Sequence, residues 1–177
     1  FETFNQPHVA LVDLRETPLK GLYPEGVETD GARYEVDAVV FATGFDAMTG
    51  ALARIDIRGR NGQALTEAWA EGPKSYLGLQ VVGFPNLFTV TGPGSPSVLT
   101  NMLPSIEQHV RFIGDTIADL KAEGYETIEA EPEAQEAWVG HVNEVGNATI
   151  YPTCNSWYVG ANIPGKPRVF MPYLGFP

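Results

Sequence analysis

The sequence predicts an α/β fold, because strand-like apolar segments lead into glycine-containing loops and helical patterns follow them. Val36–Ala42 is almost continuously apolar and β-branched in its middle, as expected for a parallel strand buried on both faces. Leu87–Thr91 is a second candidate of this kind, and it runs into the irregular loop Gly92–Pro96. We therefore expect parallel-sheet strands with helices packed against them.

The first part of the chain contains shorter signals. Val9–Leu14 is short, apolar and strand-like, and Pro24–Gly31 is typical of turns and a hairpin. Ile55–Arg58, followed by the turn Gly59–Gly62, indicates a surface hairpin. A short helical turn is predicted around Leu65–Trp69.

Two longer helices are predicted in the second half. The first begins after Asn101, which can cap it, and ends near Gly124, where a left-handed C-terminal cap is expected. Its apolar residues recur at helical spacing and form one stripe: Ile106, Val110, Ile113, Ile117 and Leu120. The second helix is expected at about Pro132–Val145, with proline at its first position. Arg168–Met171 is a last strand-like run.

Composition excludes several classes of protein. The 177 residues are 44% hydrophobic, enough for a packed core of about one domain. The net charge of −11 argues against nucleic acid or an anionic membrane as a partner, and no apolar run reaches the roughly 18 residues of a membrane span. A single cysteine, Cys154, favours a cytoplasmic protein without disulfides. The start at Phe1 and the ending at Pro177 indicate a fragment of a longer protein.

Common catalytic and metal-binding motifs are absent from the sequence. The three histidines are too far apart to share a helical face, so we expect no metal site: His8, His109 and His141. No serine lies in a Gly-x-Ser-x-Gly motif, and no base is evident for Cys154. Neither a P-loop nor a complete Gly-x-Gly-x-x-Gly motif is present.

Three segments could contact a ligand, and each also fits a structural explanation. Thr43 and Gly44 follow a predicted strand, where open α/β sheets bind ligands, although Gly44 could merely turn the chain. Met102 begins the long helix, whose positive end suits a reduced flavin but also fits an ordinary capped helix. Asn155–Lys166 combines aromatic and amide side chains with glycines, which suits either a ligand-binding lid or a packed surface loop.

Six stretches, in this order, carry a resemblance to a known family: Val39–Asp46, Ile55–Gly59, Ser75–Gly78, Phe84–Phe88, Ser105–His109 and Gly160–Lys166. The chain resembles the C-terminal part of the Baeyer–Villiger monooxygenases of the cyclohexanone and phenylacetone monooxygenase type. The resemblance covers essentially the whole chain. An Ala-Thr-Gly motif alone occurs in many flavoproteins, whereas the combination in this order is specific.

The resemblance implies an enzyme in which NADPH reduces FAD and O2 forms a peroxide at C4a of the flavin. One oxygen atom is then inserted next to the carbonyl of a small ketone, which gives an ester or lactone. The implied architecture is a flavoprotein with two dinucleotide-binding domains. Residues 1–34 would end the NADP domain and return to the FAD domain, and residues 35–177 would form a FAD-domain portion with a C-terminal substrate and NADP loop.

The resemblance also implies roles for individual residues. The backbone of Met102 would contact the flavin, Thr43 and Gly44 would lie along a strand end of the FAD domain, and Trp157 would contact NADP through its ring nitrogen. Three residues would line the substrate pocket: Ser97, Val98 and Leu99. No catalytic residue is implied within this chain, because the arginine of the family is expected just before Phe1.

The chain also departs from the family pattern. It lacks the two glycine-rich nucleotide motifs, and Pro172 and Phe176–Pro177 replace the usual apolar, glycine-rich ending. We therefore expect this polypeptide alone to be inactive. Two other interpretations stay open: a flavin monooxygenase that oxidises nitrogen or sulfur, and a non-catalytic domain that binds a partner or ligand.

Overall fold

A computed structural model describes residues 2–96 and 101–175, and the chain divides into two compact units, Phe1–Thr43 and Gly44–Pro177. It contains both strands and helices, as expected for an α/β piece of a larger protein. No helix in the described residues is long and apolar enough to cross a membrane.

The first unit contains a short 3₁₀ helix, Glu2–Asn5, and a small antiparallel sheet. Its strands are β1 (Leu19–Tyr23), β2 (Gly26–Thr29) and β3 (Arg33–Glu35), and they pair in the order β1-β2-β3. In the second turn of this sheet, the Thr29 hydroxyl accepts hydrogen bonds from the amides of Gly31 and Ala32, each at 3.2 Å. The hairpin predicted within Pro24–Gly31 is confirmed.

The described residues of the second unit contain four helices: α1 (Gly50–Ala53), α2 (Leu65–Ala68), α3 (Met102–Glu123) and α4 (Pro132–Asn147). Short 3₁₀ helices lie at Arg60–Gly62, Tyr151–Thr153 and Trp157–Val159. The predicted helical turn and both long helices are confirmed. Asn101 caps α3, and Gly124 ends it in the left-handed conformation with φ = 75°. The predicted surface hairpin consists of a single antiparallel bridge between Arg58 and Ala64.

The main core of the second unit forms around α2. Leu65, Trp69, Val81 and Phe84 are buried together, and partly buried side chains pack around them: Leu52, Ile57, Ala68 and Leu87. The Glu67 carboxylate accepts a hydrogen bond from the Ala64 amide at 3.1 Å, which satisfies a donor at the start of this short helix.

The structure contradicts two strand predictions in the first part of the chain. Val9–Leu14 and Val36–Ala42 form no strand, and Val40 is 86% exposed. A strand buried on both faces needs neighbouring strands, and within the described residues no strand pairs with either segment.

Leu87–Thr91 and Arg168–Met171 also lack strand structure, because their backbone amides donate to single residues in loops and helices and not to a neighbouring strand. The Thr89 amide donates to the Leu79 carbonyl at 2.8 Å, and the Met171 amide donates to the Tyr158 carbonyl at 2.9 Å. These single bonds fix the backbone locally without building a ladder.

Candidate functional site

Two of the three candidate segments meet in the second unit. The Asn162 side-chain amide donates to the Phe45 carbonyl at 3.0 Å, so the Asn155–Lys166 segment contacts the residues that follow Gly44. Gly44 itself has a left-handed φ of 80°, which glycine adopts without strain. Thr43 belongs to the other unit, and no hydrogen bond of its side chain to another described residue assigns it a role.

An ion pair strengthens this junction. The Lys166 Nζ atom lies 2.5 Å from Asp46 Oδ1 and donates to the Ala47 carbonyl at 3.1 Å. The two side chains are 12% and 33% exposed, respectively, so the pair is shielded from water on most of its surface. Partial burial reduces screening by salt, which makes this pair stronger than a fully exposed one.

Trp157 begins a 3₁₀ helix in the same segment and is half-buried. Its ring stacks on Tyr158 with the centroids 4.3 Å apart, which restricts its orientation. No hydrogen-bond acceptor for its ring N–H is found in the described part of the chain. Burial, and secondarily the nearby Tyr151, raise the pKa of the Tyr158 phenol, so this neighbour stays neutral at physiological pH.

Arg168 holds the residues just before Trp157. Its guanidinium donates to the carbonyls of Pro152 and Cys154 at 2.9 and 2.8 Å, and to the Asn155 side chain at 2.8 Å. Cys154 is an exposed free thiol. Arg168 therefore fixes the backbone that precedes Trp157 in sequence, and the Lys166 ion pair fixes the chain that follows it.

The start of α3 is the third candidate segment. The Asn101 side chain accepts a hydrogen bond from the Leu103 amide at 3.1 Å, and Pro104 has no amide hydrogen to offer. Met102, the first helical residue, is half-buried. The 22-residue length of α3 gives this end a partial positive charge that favours an anionic ligand.

His109, which the sequence suggested to be an ordinary packing or surface residue, anchors α3. It is 7% exposed, and its Nδ1 accepts a hydrogen bond from the Thr91 amide at 3.0 Å. Burial lowers the pKa of this imidazole, and the neutral form suits an acceptor role for Nδ1.

A cleft of about 340 Å³ lies beside His109. Its lining is mainly apolar and aromatic, and includes Leu79, Phe112, Trp138 and Tyr173. Pro96 also lines it, but the predicted substrate-pocket residues lie outside the described residues: Ser97, Val98 and Leu99.

Sequence reasoning missed the contacts that assemble these segments. The partners Lys166 and Asp46 are 120 residues apart, and His109 and Thr91 are 18 residues apart. Lys166 and Asp46 both lie inside stretches that carry the family resemblance, and this is the one feature of the sequence that pointed to these two residues. Within residues 2–96 and 101–175, no group of three or more histidine, cysteine, aspartate or glutamate side chains could hold a metal ion.

Comparison with known proteins finds homologues that match nearly the whole chain. It is 42% identical over 98% of its length to a Baeyer–Villiger monooxygenase of Pseudooceanicola batsensis, and 42% identical over 99% to a phenazine N-monooxygenase of Lysobacter antibioticus. This chain is a homologue of the Baeyer–Villiger monooxygenases. It spans 32% of the length of each of these two relatives.

Solved structures of this family agree with the sequence comparison. A cyclohexanone monooxygenase in a closed form matches 98% of this chain with a TM-score of 0.88 and 43% identity. A steroid monooxygenase bound to NADP matches 98% with a TM-score of 0.83 and 52% identity. The chain covers 33% and 32% of those proteins, respectively. No protein-family model matches it.

Proposed function

We propose that the chain is the C-terminal part of an NADPH- and FAD-dependent monooxygenase. The enzyme would insert one oxygen atom from O2 next to the carbonyl of a small ketone and release an ester or lactone. The observation that carries the proposal is the similarity to Baeyer–Villiger monooxygenases over nearly the whole chain. We also propose a cytoplasmic location, which the single exposed free cysteine supports.

The geometry of Trp157 supports a role in binding NADP. The ring N–H is a donor without an acceptor in the described residues, and stacking on Tyr158 holds the ring in one orientation. An oriented donor loses little freedom when a polar ligand accepts its hydrogen bond. Trp157 therefore suits an amide or hydroxyl oxygen of a nicotinamide cofactor.

The start of α3 supports a role beside the flavin. FAD, when bound, supplies the transfer of electrons from NADPH to O2. The positive end of the helix stabilises negative charge, so the backbone at Met102 would hold an electron-rich ring in place. Thr43 and Gly44 would lie along a strand end of the FAD domain. Three residues shortly before Met102 would line the ketone pocket: Ser97, Val98 and Leu99.

A domain assignment forms part of the same proposal. Residues 1–34 would complete the NADP domain and return to the FAD domain, and residues 35–177 would belong to the FAD domain. No catalytic residue is assigned within the chain. The 177 residues by themselves should therefore not turn over a ketone.

Oxidation of nitrogen or sulfur is the second candidate function, and the phenazine N-monooxygenase relative favours it. Both reactions would use the same cofactors, so the cofactor-contacting residues do not separate them. The acceptor of the oxygen atom does separate them.

The proposed function is tested with the full-length protein that contains this chain. We expect it to purify with bound yellow flavin, and we expect a ketone to accelerate NADPH oxidation with formation of an ester or lactone. A thioether and an aromatic nitrogen heterocycle serve as competing substrates. Oxidation of those two without ketone oxidation would support the second candidate. A protein without flavin and without NADPH oxidation would reject both.

The proposed role of Trp157 is tested in the same protein with Trp157→Phe, which keeps an aromatic ring but removes its N–H. Loss of one hydrogen bond predicts a KM for NADPH about 3- to 10-fold higher. Trp138→Phe is a matched control, because the Trp138 N–H already donates to the Gly94 carbonyl at 3.0 Å. The control should reduce stability and leave the KM unchanged. Equal KM values for both variants would remove Trp157 from the proposed site.

A further inference from the structure

We propose that Lys166 is a positioning residue. It holds the turn that contains Trp157 (residues 156–163) against the segment that follows Gly44 (residues 45–47). This inference rests on the proposed function only where it concerns NADPH. Its structural part rests on contacts that Lys166 makes at both ends of its side chain.

The aliphatic part of Lys166 packs on the backbone of Gly160, which caps the 3₁₀ helix that Trp157 begins. A Cβ atom added at Gly160 would lie 3.2 Å from both Cγ and Cδ of Lys166 and 3.0 Å from the Pro167 carbonyl oxygen. Gly160 therefore leaves the space that the lysine side chain occupies. Gly160 is also left-handed, with φ = 71°, which a larger residue would adopt only with strain.

The charged end of Lys166 binds the other segment. Its ammonium contacts the Asp46 carboxylate and the Ala47 carbonyl, while Asn162 donates to the Phe45 carbonyl. One side chain thus spans from Gly160 to Asp46. The ammonium is a charged donor, and charge-assisted hydrogen bonds are stronger than neutral ones.

Local hydrogen bonds transmit this attachment to Trp157. The Gly160 amide donates to the Trp157 carbonyl, and the Ala161 amide donates to the Ser156 carbonyl, each at 3.1 Å. The Lys166 amide donates to the Ile163 carbonyl at 3.2 Å, which closes the turn. Movement of Lys166 away from Asp46 would therefore release the same turn that carries Trp157.

The structural test measures backbone hydrogen exchange in the full-length protein without NADPH. Lys166→Met keeps the packing on Gly160 but removes the charge, and Asp46→Asn removes the opposite charge. We expect each change to speed exchange in residues 156–163 at least fivefold, with exchange in α4 unchanged. The double variant should be no faster than the faster single variant, because both changes break one interaction. Lys166→Arg should restore most of the protection.

A matched control comes from an exposed ion pair in the same unit. Lys74→Met removes the ammonium that lies 2.8 Å from Glu136, where the side chains are 48% and 59% exposed. This control should leave exchange in residues 156–163 unchanged. The inference is overturned if Lys166→Met behaves like Lys74→Met, or if exchange rises equally in α4, which would indicate a general loss of stability.

The functional readout separates this inference from the proposed function. If the protein oxidises NADPH, Lys166→Met should raise the KM for NADPH at least threefold and change kcat less than twofold. An unchanged KM despite faster exchange would overturn the positioning role. If the protein has no flavin and no NADPH oxidation, the proposed function fails while the exchange result still decides whether Lys166 holds the turn.

Discussion

The two long helices of the second unit have similar amphipathic patterns but differ in burial. In α4, three residues are buried, Gln135, Val142 and Gly146, whereas α3 buries only His109. Val110 and Ile117, two members of the apolar stripe of α3, are 56% and 41% exposed. An apolar stripe therefore predicts a helix with one face suited to packing. Whether that face is buried depends on whether another part of the protein packs against it.

Such packing requires a complementary surface. Phe170 packs directly against Gly146, and the Trp138 ring of α4 lies 4.9 Å from that of Tyr173. For most of α3, the described residues offer no such surface. This chain covers about a third of the length of its relatives. We therefore expect the rest of the full-length protein to change the exposure of α3 more than that of α4.

The largest expected difference is between a core residue and the stripe of α3. Leu65→Ala removes a side chain that is 1% exposed and should lower the free energy of unfolding of this chain by about 2–5 kcal/mol. Ile117→Ala should cost less than about 1 kcal/mol, because the side chain is already partly hydrated. Urea unfolding measures both values. Equal losses would mean that the stripe of α3 is covered in solution.

A second, smaller difference concerns glycines in the two helices. An added Cβ at Gly146 of α4 would lie 2.6 Å from Cδ1 of Phe170, whereas at Gly114 of α3 it would meet, among the described residues, no atom within 4 Å beyond the neighbouring backbone of the helix itself. Gly146→Ala should destabilise the chain by about 1–3 kcal/mol through overpacking. Gly114→Ala should stabilise it by up to about 1 kcal/mol through helix propensity. Thermal unfolding should shift in opposite directions, and a shared direction would contradict the comparison.

The smallest expected effect is a pH dependence at the single buried residue of α3. Burial lowers the pKa of His109 below its ordinary value of 6.5, so the unfolded chain binds more protons than the folded chain as the pH falls below 6.5. Stability from this residue is complete above pH 6.5 and decreases toward the lowered pKa. The loss is about 1.4 kcal/mol per unit of pKa difference.

His109→Gln should flatten the decrease in unfolding free energy between pH 6.5 and the lowered pKa of His109. His8→Gln, at an exposed histidine, should retain the decrease. Urea unfolding at several pH values measures both slopes. If the pH dependence of the unfolding free energy also flattened in the His8→Gln variant, the assignment of the effect to His109 would be contradicted.

Local sequence signals predicted elements whose partners are nearby in the chain. The cap at Asn101, the left-handed end at Gly124 and the proline at the start of α4 are short-range effects, and all three were predicted correctly. Val36–Ala42 and Leu87–Thr91 were assigned wrongly as strands, because apolar character does not reveal whether another strand is available for pairing. The proposed cofactor and substrate residues came from the family resemblance and remain predictions.

The sequence by itself determined the short helix α2, the two long helices and their ends, the small hairpin and the family, because these depend on backbone propensity, local hydrogen bonds and shared motifs. Only the tertiary structure decided that Lys166 pairs with Asp46, that His109 is the buried residue of α3, and that four segments with a strand-like pattern form no strand. Burial, charge pairing and strand pairing all require contacts between residues that are distant in sequence, and such contacts exist only in the tertiary structure.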